Sequence, residues 1–143
     1  MSKVVYTAEA HVTGGRADGH GRTGDGILEL DLRLPPEMGG AGDGANPEQL
    51  FAVGYAACFE GALGAVARRT KAETGDVAID SKVALVAQED RTFTVAVELH
   101  VTLPSVEDEA AAELVREAHK VCPYSNATRG NIDVTLTANG NPV

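Results

Sequence analysis

Two cysteines, an arginine in a glycine-rich turn and a glutamate at a helix start are the residues of this chain whose types can do chemistry together. Cys58 sits in the middle of "ANPEQLFAVGYAACFEGALGA" (residues 45 to 65), an alanine-rich, glycine-studded segment apolar on nearly every side. Cys122 follows 64 positions later, in "VCPYS". The thiolate is the nucleophilic form of cysteine, and a thiol in apolar surroundings resists ionising. Burial on this helix therefore raises the pKa of Cys58, which lies too far from the helix start for the dipole to help. Reactivity needs a positive group delivered from elsewhere. Arg16, in "GGRADG", is a candidate for that group, and Glu48 can hold such an arginine through a charge-assisted pair. Each has a plainer reading. Most loop arginines are solvated, as Arg22, Arg68 and Arg69 are expected to be, and Glu48 suits the positive end of a helix as any first-turn acid does. The cysteine spacing is neither CxxC nor a metal pair. Free cysteine is also among the most buried residue types, so spacing alone leaves inert thiols and a reactive pair both open.

The remaining candidates are weaker. Histidines at 11, 20, 100 and 119 form no ligand set, so no metal is expected. His119 precedes Cys122 by three positions on one helix face, which admits a Cys–His hydrolase dyad, though a partly exposed helix histidine is the simpler account. "NAT" at 126 to 128 matches a glycosylation acceptor only in the way many short triplets do, and "GGAGDGAN" lacks the Lys and Ser/Thr of a phosphate loop.

Composition narrows the function classes. The 143 residues are read as one domain, 1–143, with 43% apolar residues, enough to fold. There is no Trp, and only three Phe and three Tyr. Ala and Val fill little volume, so backbones must approach closely, which favours tight helix packing and two chains sharing one core. A net charge of −9 repels phosphate backbones and anionic membrane surfaces, so neither nucleic acid nor membrane is an expected partner. "MSKVVYTAEAHV" lacks the pattern of a signal peptide, and no uninterrupted apolar run reaches the ~18 residues of a membrane span. A cytoplasmic location is the expectation.

The elements that must position these residues follow from periodicity. Residues 4 to 13 alternate as a strand, "GGRADGHGRTGDG" is a turn-rich loop, and "ILELDLRL" alternates again, giving a hairpin. After a glycine-rich connection, Asn46 as N-cap, Pro47 at the first helical position and Glu48 and Gln49 in the first turn open a helix running to about Arg69. Residues 77 to 88 and 92 to 103 read as strands. A second helix opens at Ser105, with Asp108 completing an S-x-x-D box, and stops at Pro123. "PYSNATRGN" reads as loop and "IDVTLTA" as a last strand. The order ββαββαβ, joined by hairpins, predicts an α+β fold with antiparallel sheets packed around a buried central helix.

"NPEQLFAVGYAACF" and "VCPYSNATRGNIDVTL" closely resemble the two signature blocks of the organic hydroperoxide resistance (Ohr) proteins of the OsmC-like superfamily, and "YTAEAHVTGGR" and "GGAGDGANPEQL" match as well. The resemblance covers essentially the whole chain. It implies a thiol peroxidase in which Cys58 is the peroxidatic cysteine, Cys122 the resolving cysteine that closes a disulfide with it, Arg16 the thiolate-stabilising arginine and Glu48 its salt-bridge partner. It further implies an alkyl or fatty-acid hydroperoxide substrate, re-reduction by dithiols such as protein-bound lipoyl groups, no metal, haem or flavin cofactor, and an intertwined homodimer. Phe51, Tyr55, Phe59 and Leu63 are expected to form an apolar wall that favours an alkyl chain.

Glu48 and Cys58 lie ten residues apart, about 15 Å along a straight helix and on different faces. Unless the helix breaks near Gly54, the Arg16 and Glu48 serving one thiolate are expected to come partly from a second chain. A non-enzymatic carrier of apolar ligands, or a stress-induced structural protein, with this same fold is the remaining alternative.

Overall fold

The computed structural model describes residues 1–143, which divide into two compact units, Met1–Leu50 and Phe51–Val143. In the first unit, β1 (Ala10–Thr13), β2 (Asp18–Thr23) and β3 (Glu29–Arg33) form an antiparallel sheet in the order β1-β2-β3. The expected hairpin thus holds a third strand inside its supposed loop. β2 reads "DGHGRT" and carries no apolar residue, so alternation is invisible there. Its buried positions are Gly19 and Gly21, which bury backbone rather than side chain. The expected first strand is also shortened: only Ala10–Thr13 pair with β2, and Val4, Val5 and Tyr6 stand exposed. The alternation of residues 4 to 9 has no surface to alternate against within one chain.

After a 3-10 turn at Pro36–Met38, the chain returns along β3, where Arg33 N–H donates to the Ala45 carbonyl and Ala45 N–H to that of Asp31. Helix α1 (Pro47–Thr70) then begins as predicted. Gln49 N–H donates to Asn46 Oδ1 at 2.9 Å, and Asn46 N–H donates to Gln49 Oε1 at 3.0 Å, a reciprocal capping box. The helix continues unbroken through Gly54. By length and composition alone α1 is long and apolar enough to cross a membrane, a test that the core helix of a soluble protein also passes. Its apolar stretch is interrupted by Glu60, so no uninterrupted run of that length is present. One face carries Tyr55, Phe59, Leu63 and Val66 into the core, as in a core helix, while Val53, Ala57 and Gly61 are exposed.

The second unit contains the hairpin β4 (Ala78–Ala87) and β5 (Phe93–Thr102), helices α2 (Asp108–Val121) and α3 (Pro123–Thr128), β6 (Val134–Ala138) and β7 (Asn141–Pro142). The sheet order is β4-β5-β6-β7. The α+β class is as expected, but β6 lies parallel to β5, with Val97 opposite Val134, so the two helices form a crossover where only hairpins were anticipated. The core joins Val97, Leu99 and Val101 of β5 to Ala111, Val115 and Ala118 of α2 and to the inner face of α1.

Two boundary readings fail for local reasons. Helix α2 starts after Glu107, without a side-chain cap, so the Ser105–Asp108 box is not formed. Pro123 ends α2 as expected, yet it also opens α3, where its missing N–H and fixed φ suit the first helical position. Cys122 is therefore the corner residue between two helices, with φ −59° and ψ 124°.

Candidate active site

The four candidate residues occur as two pairs. In the first unit, Arg16 rides on the turn between β1 and β2. Gly14 there has φ +77°, and a Cβ at Gly14 would lie 2.2 Å from the Asp18 carbonyl oxygen, so this tight reversal requires glycine. The guanidinium makes a bidentate pair with Glu48, Nη1 to Oε2 at 3.1 Å and Nη2 to Oε1 at 3.0 Å. That hydrogen-bonded pairing holds the Glu48 carboxyl below the usual carboxylate range and raises the pKa of Arg16 further. Both groups are thus charged at neutral pH, and a fork-to-fork contact fixes the guanidinium plane.

In the second unit, Cys58 on α1 and Cys122 at the α2–α3 corner are free thiols. The Cys122 thiol donates to Cys58 Sγ across 3.7 Å, and Cys122 is fully buried while Cys58 is half-buried. The sulfurs are in contact, less than about 2 Å from bonding distance. Burial pushes the Cys58 thiol up, and the backbone N–H of Tyr124 opposes that by favouring the thiolate. The sequence reading did not find this donor, because residues 123 to 128 read as loop. The signal was Pro123 immediately after Cys122, a helix start as much as a helix stop.

The expected apolar wall is rearranged. Tyr55, Phe59 and Leu63 are core residues without solvent access, so they do not face a substrate. Phe51 remains half-buried and is joined by Tyr124, 41% exposed, whose ring stacks on Phe51 with centroids 5.9 Å apart and meets Tyr55 edge-on at 5.8 Å. The proposed His119–Cys122 dyad does not form: His119 Nδ1 bonds Ser125 Oγ at 2.8 Å, and Cys122 turns its thiol to Cys58. A cleft of about 660 Å³ between the end of α1 and α2, lined by residues such as Val66, Ala72, Val106 and Leu114, contains neither cysteine.

The model of the OsmC-like protein family matches residues 40–137, a span that includes Glu48 and both cysteines. The organic hydroperoxide resistance protein of Xanthomonas axonopodis pv. citri (strain 306) is 54% identical over 137 residues, covering 94% of this chain and 95% of that one. The chain belongs to the organic hydroperoxide resistance group of the OsmC-like family. OhrB of Bacillus subtilis (strain 168) is 47% identical over 133 residues, covering 92% of this chain and 96% of that one. A crystal structure of an organic hydroperoxide resistance protein from Legionella pneumophila superposes with a TM-score of 0.91 at 49% identity, covering 95% of this chain and 98% of that one. Membership of this family gives the contact between Cys58 and Cys122 a chemical context that burial alone does not.

The Arg16–Glu48 pair makes a pH prediction. A carboxyl whose pKa is lowered on folding contributes stability that is complete above its unfolded pKa, about 4.3, and is lost as pH falls through the folded value. The stability advantage of the wild type over Glu48→Gln, followed by urea midpoint, is expected to stay constant above about pH 5.5 and to shrink through pH 4 and below. A difference independent of pH would show that the carboxylate is not what holds Arg16.

Proposed function

We propose that this chain is a thiol peroxidase that protects against organic hydroperoxides. The observation that carries the proposal is the 3.7 Å contact between Cys58 and Cys122, in a chain whose relatives are named for organic hydroperoxide resistance. The Cys58 thiolate attacks the distal oxygen of an alkyl hydroperoxide. The O–O bond breaks, the alkoxide leaves and takes a proton to become the alcohol, and Cys58 becomes a sulfenic acid. The Cys122 thiol then displaces the sulfenic oxygen as water and closes a Cys58–Cys122 disulfide. A dithiol, such as a protein-bound lipoyl group, returns both cysteines to thiols by exchange. Phe51 and Tyr124 offer the alkyl chain an aromatic surface that hydrogen peroxide does not use.

Arg16, oriented by Glu48, is the positive group that offsets the cost of ionising Cys58. The two compact units serve one catalytic domain, and the working form is a homodimer in which Arg16 and Glu48 come partly from the second chain. An unbroken α1 supports that arrangement, since Glu48 and Cys58 sit about 15 Å apart along its axis. So does the exposed stripe of Val53, Ala57 and Gly61, with Val53 72% exposed on a helix whose opposite face is core.

Mass spectrometry after one equivalent of tert-butyl hydroperoxide is expected to show loss of two hydrogen atoms and a Cys58–Cys122 cross-link. Cys58→Ser should consume no hydroperoxide. Cys122→Ser should reduce one equivalent and stall as the sulfenic acid. Full consumption by Cys58→Ser would refute the proposal. Sedimentation is expected to give a dimer down to the lowest measurable concentration, and a folded, active monomer would remove the shared-site arrangement.

A further inference from the structure

The proposed peroxidase chemistry gives no role to a buried polar chain that surrounds it. Four side chains from three helices connect in series: His119 Nδ1 to Ser125 Oγ at 2.8 Å, Ser125 Oγ to Tyr55 Oη at 2.8 Å, and Tyr55 Oη to Thr128 Oγ1 at 3.1 Å. Tyr55 and Ser125 are fully buried and Thr128 nearly so. Thr128 can also donate to the Ser125 carbonyl at 3.4 Å, and no buried side-chain polar atom in the molecule lacks a partner. Burial, followed by the positive charge of Arg129, lowers the His119 pKa and favours a neutral imidazole. With Nδ1 protonated the chain donates from His119 through Ser125 and Tyr55 to Thr128 and ends on the Ser125 carbonyl, and with Nδ1 as acceptor it runs the other way from Thr128, so either neutral tautomer leaves it continuous. Such a satisfied chain in a low-dielectric interior fixes geometry directionally, which apolar packing does not.

Its placement is specific. Tyr55 sits one helical turn before Cys58 on α1, and His119 and Ser125 stand three residues to either side of Cys122. The corner at Cys122 is where helical continuity fails, because Pro123 has no N–H to extend the α2 ladder. Left to packing alone, this corner can rock against α1. The hydroxyl chain ties it down at both flanks.

We infer that the Tyr55–Ser125–His119 chain is the positioning device for the resolving step: it holds the Cys122 corner in register with Cys58 and so sets how fast the disulfide closes. This rests on the peroxidase reading and names residues that hydrogen-bond to one another and not to either sulfur. The step they serve is the condensation in which Cys58–SOH and Cys122–SH give the S–S bond and one water.

Tyr55→Phe removes one hydroxyl and keeps the ring. Its first turnover with tert-butyl hydroperoxide is expected to match the wild type, while capture of the sulfenic acid by dimedone shows closure slowed by at least about fivefold, since the lost hydroxyl makes two buried hydrogen bonds. An arm free of peroxide equilibrates the Cys58–Cys122 pair with glutathione, where the effective concentration of the pair should fall by the same factor. His119→Asn, which keeps a hydrogen-bonding group near Nδ1, should stay closer to the wild type than His119→Leu. Val115→Ala, a cavity in the same core that removes no hydrogen-bonding group, should lower thermal stability without changing the glutathione equilibrium. Unchanged closure and equilibrium in Tyr55→Phe, or an equal shift in Val115→Ala, would overturn the inference. A wild type that consumes no hydroperoxide defeats the peroxidase reading instead, and the glutathione arm still decides the positioning role.

Discussion

Ionising a half-buried sulfur is the constraint on which the proposed chemistry turns. Cys58 lies on a helix rich in alanine and glycine, and the surrounding apolar atoms push its pKa up. Within the second unit only the Tyr124 N–H pulls the other way, and the hydrogen bond from Cys122 also shapes the site. A single backbone donor is a weak counterweight to desolvation. A thiol that stays protonated is a packing residue and nothing more. The proposed chemistry therefore requires a fixed positive charge, and the chain contains one that is already built: a guanidinium clamped by two parallel hydrogen bonds to a carboxylate. A clamped arginine would lose little freedom on pairing with a thiolate, which is the part the proposed chemistry gives to Glu48.

The second requirement is that the two sulfurs be close without being bonded. The fold meets it with a corner. Helix α2 stops at Val121, α3 restarts at Pro123, and the residue between them directs its thiol toward α1. The same restart supplies the Tyr124 N–H to Cys58, so one local feature delivers both the second thiol and the backbone donor. Because a break in a helix is compliant, the hydroxyls of Tyr55, Ser125 and Thr128 and the His119 ring stiffen it from both sides.

Much of this was legible in the residues. Asn46, Pro47 and Gln49 announce the start of α1 through capping chemistry, and the structure forms the full reciprocal box. Strands β4 and β5 follow from alternation, because a half-buried sheet imposes period two on its side chains. β2 was not legible, because its buried positions are glycines and glycine carries no hydrophobic signal. α3 was missed because proline after a helix reads equally as an ending and a beginning. The parallel β5–β6 ladder has no signature in either strand; it is decided by where two intervening helices deliver the chain. At the candidate site, the Arg16–Glu48 pairing and the sulfur contact follow the resemblance. The apolar wall does not, because four residues spaced by four along a helix describe the core face before they describe a pocket.

The most direct measurement is the ionisation of Cys58 itself, read from the pH dependence of its alkylation by iodoacetamide in the Cys122→Ser protein, where it is the one thiol present. The account predicts a midpoint well below the ordinary cysteine value of about 8.5, and a rise of at least about one pH unit when Arg16→Ala is added. A midpoint at or above the ordinary value, indifferent to Arg16, would contradict it.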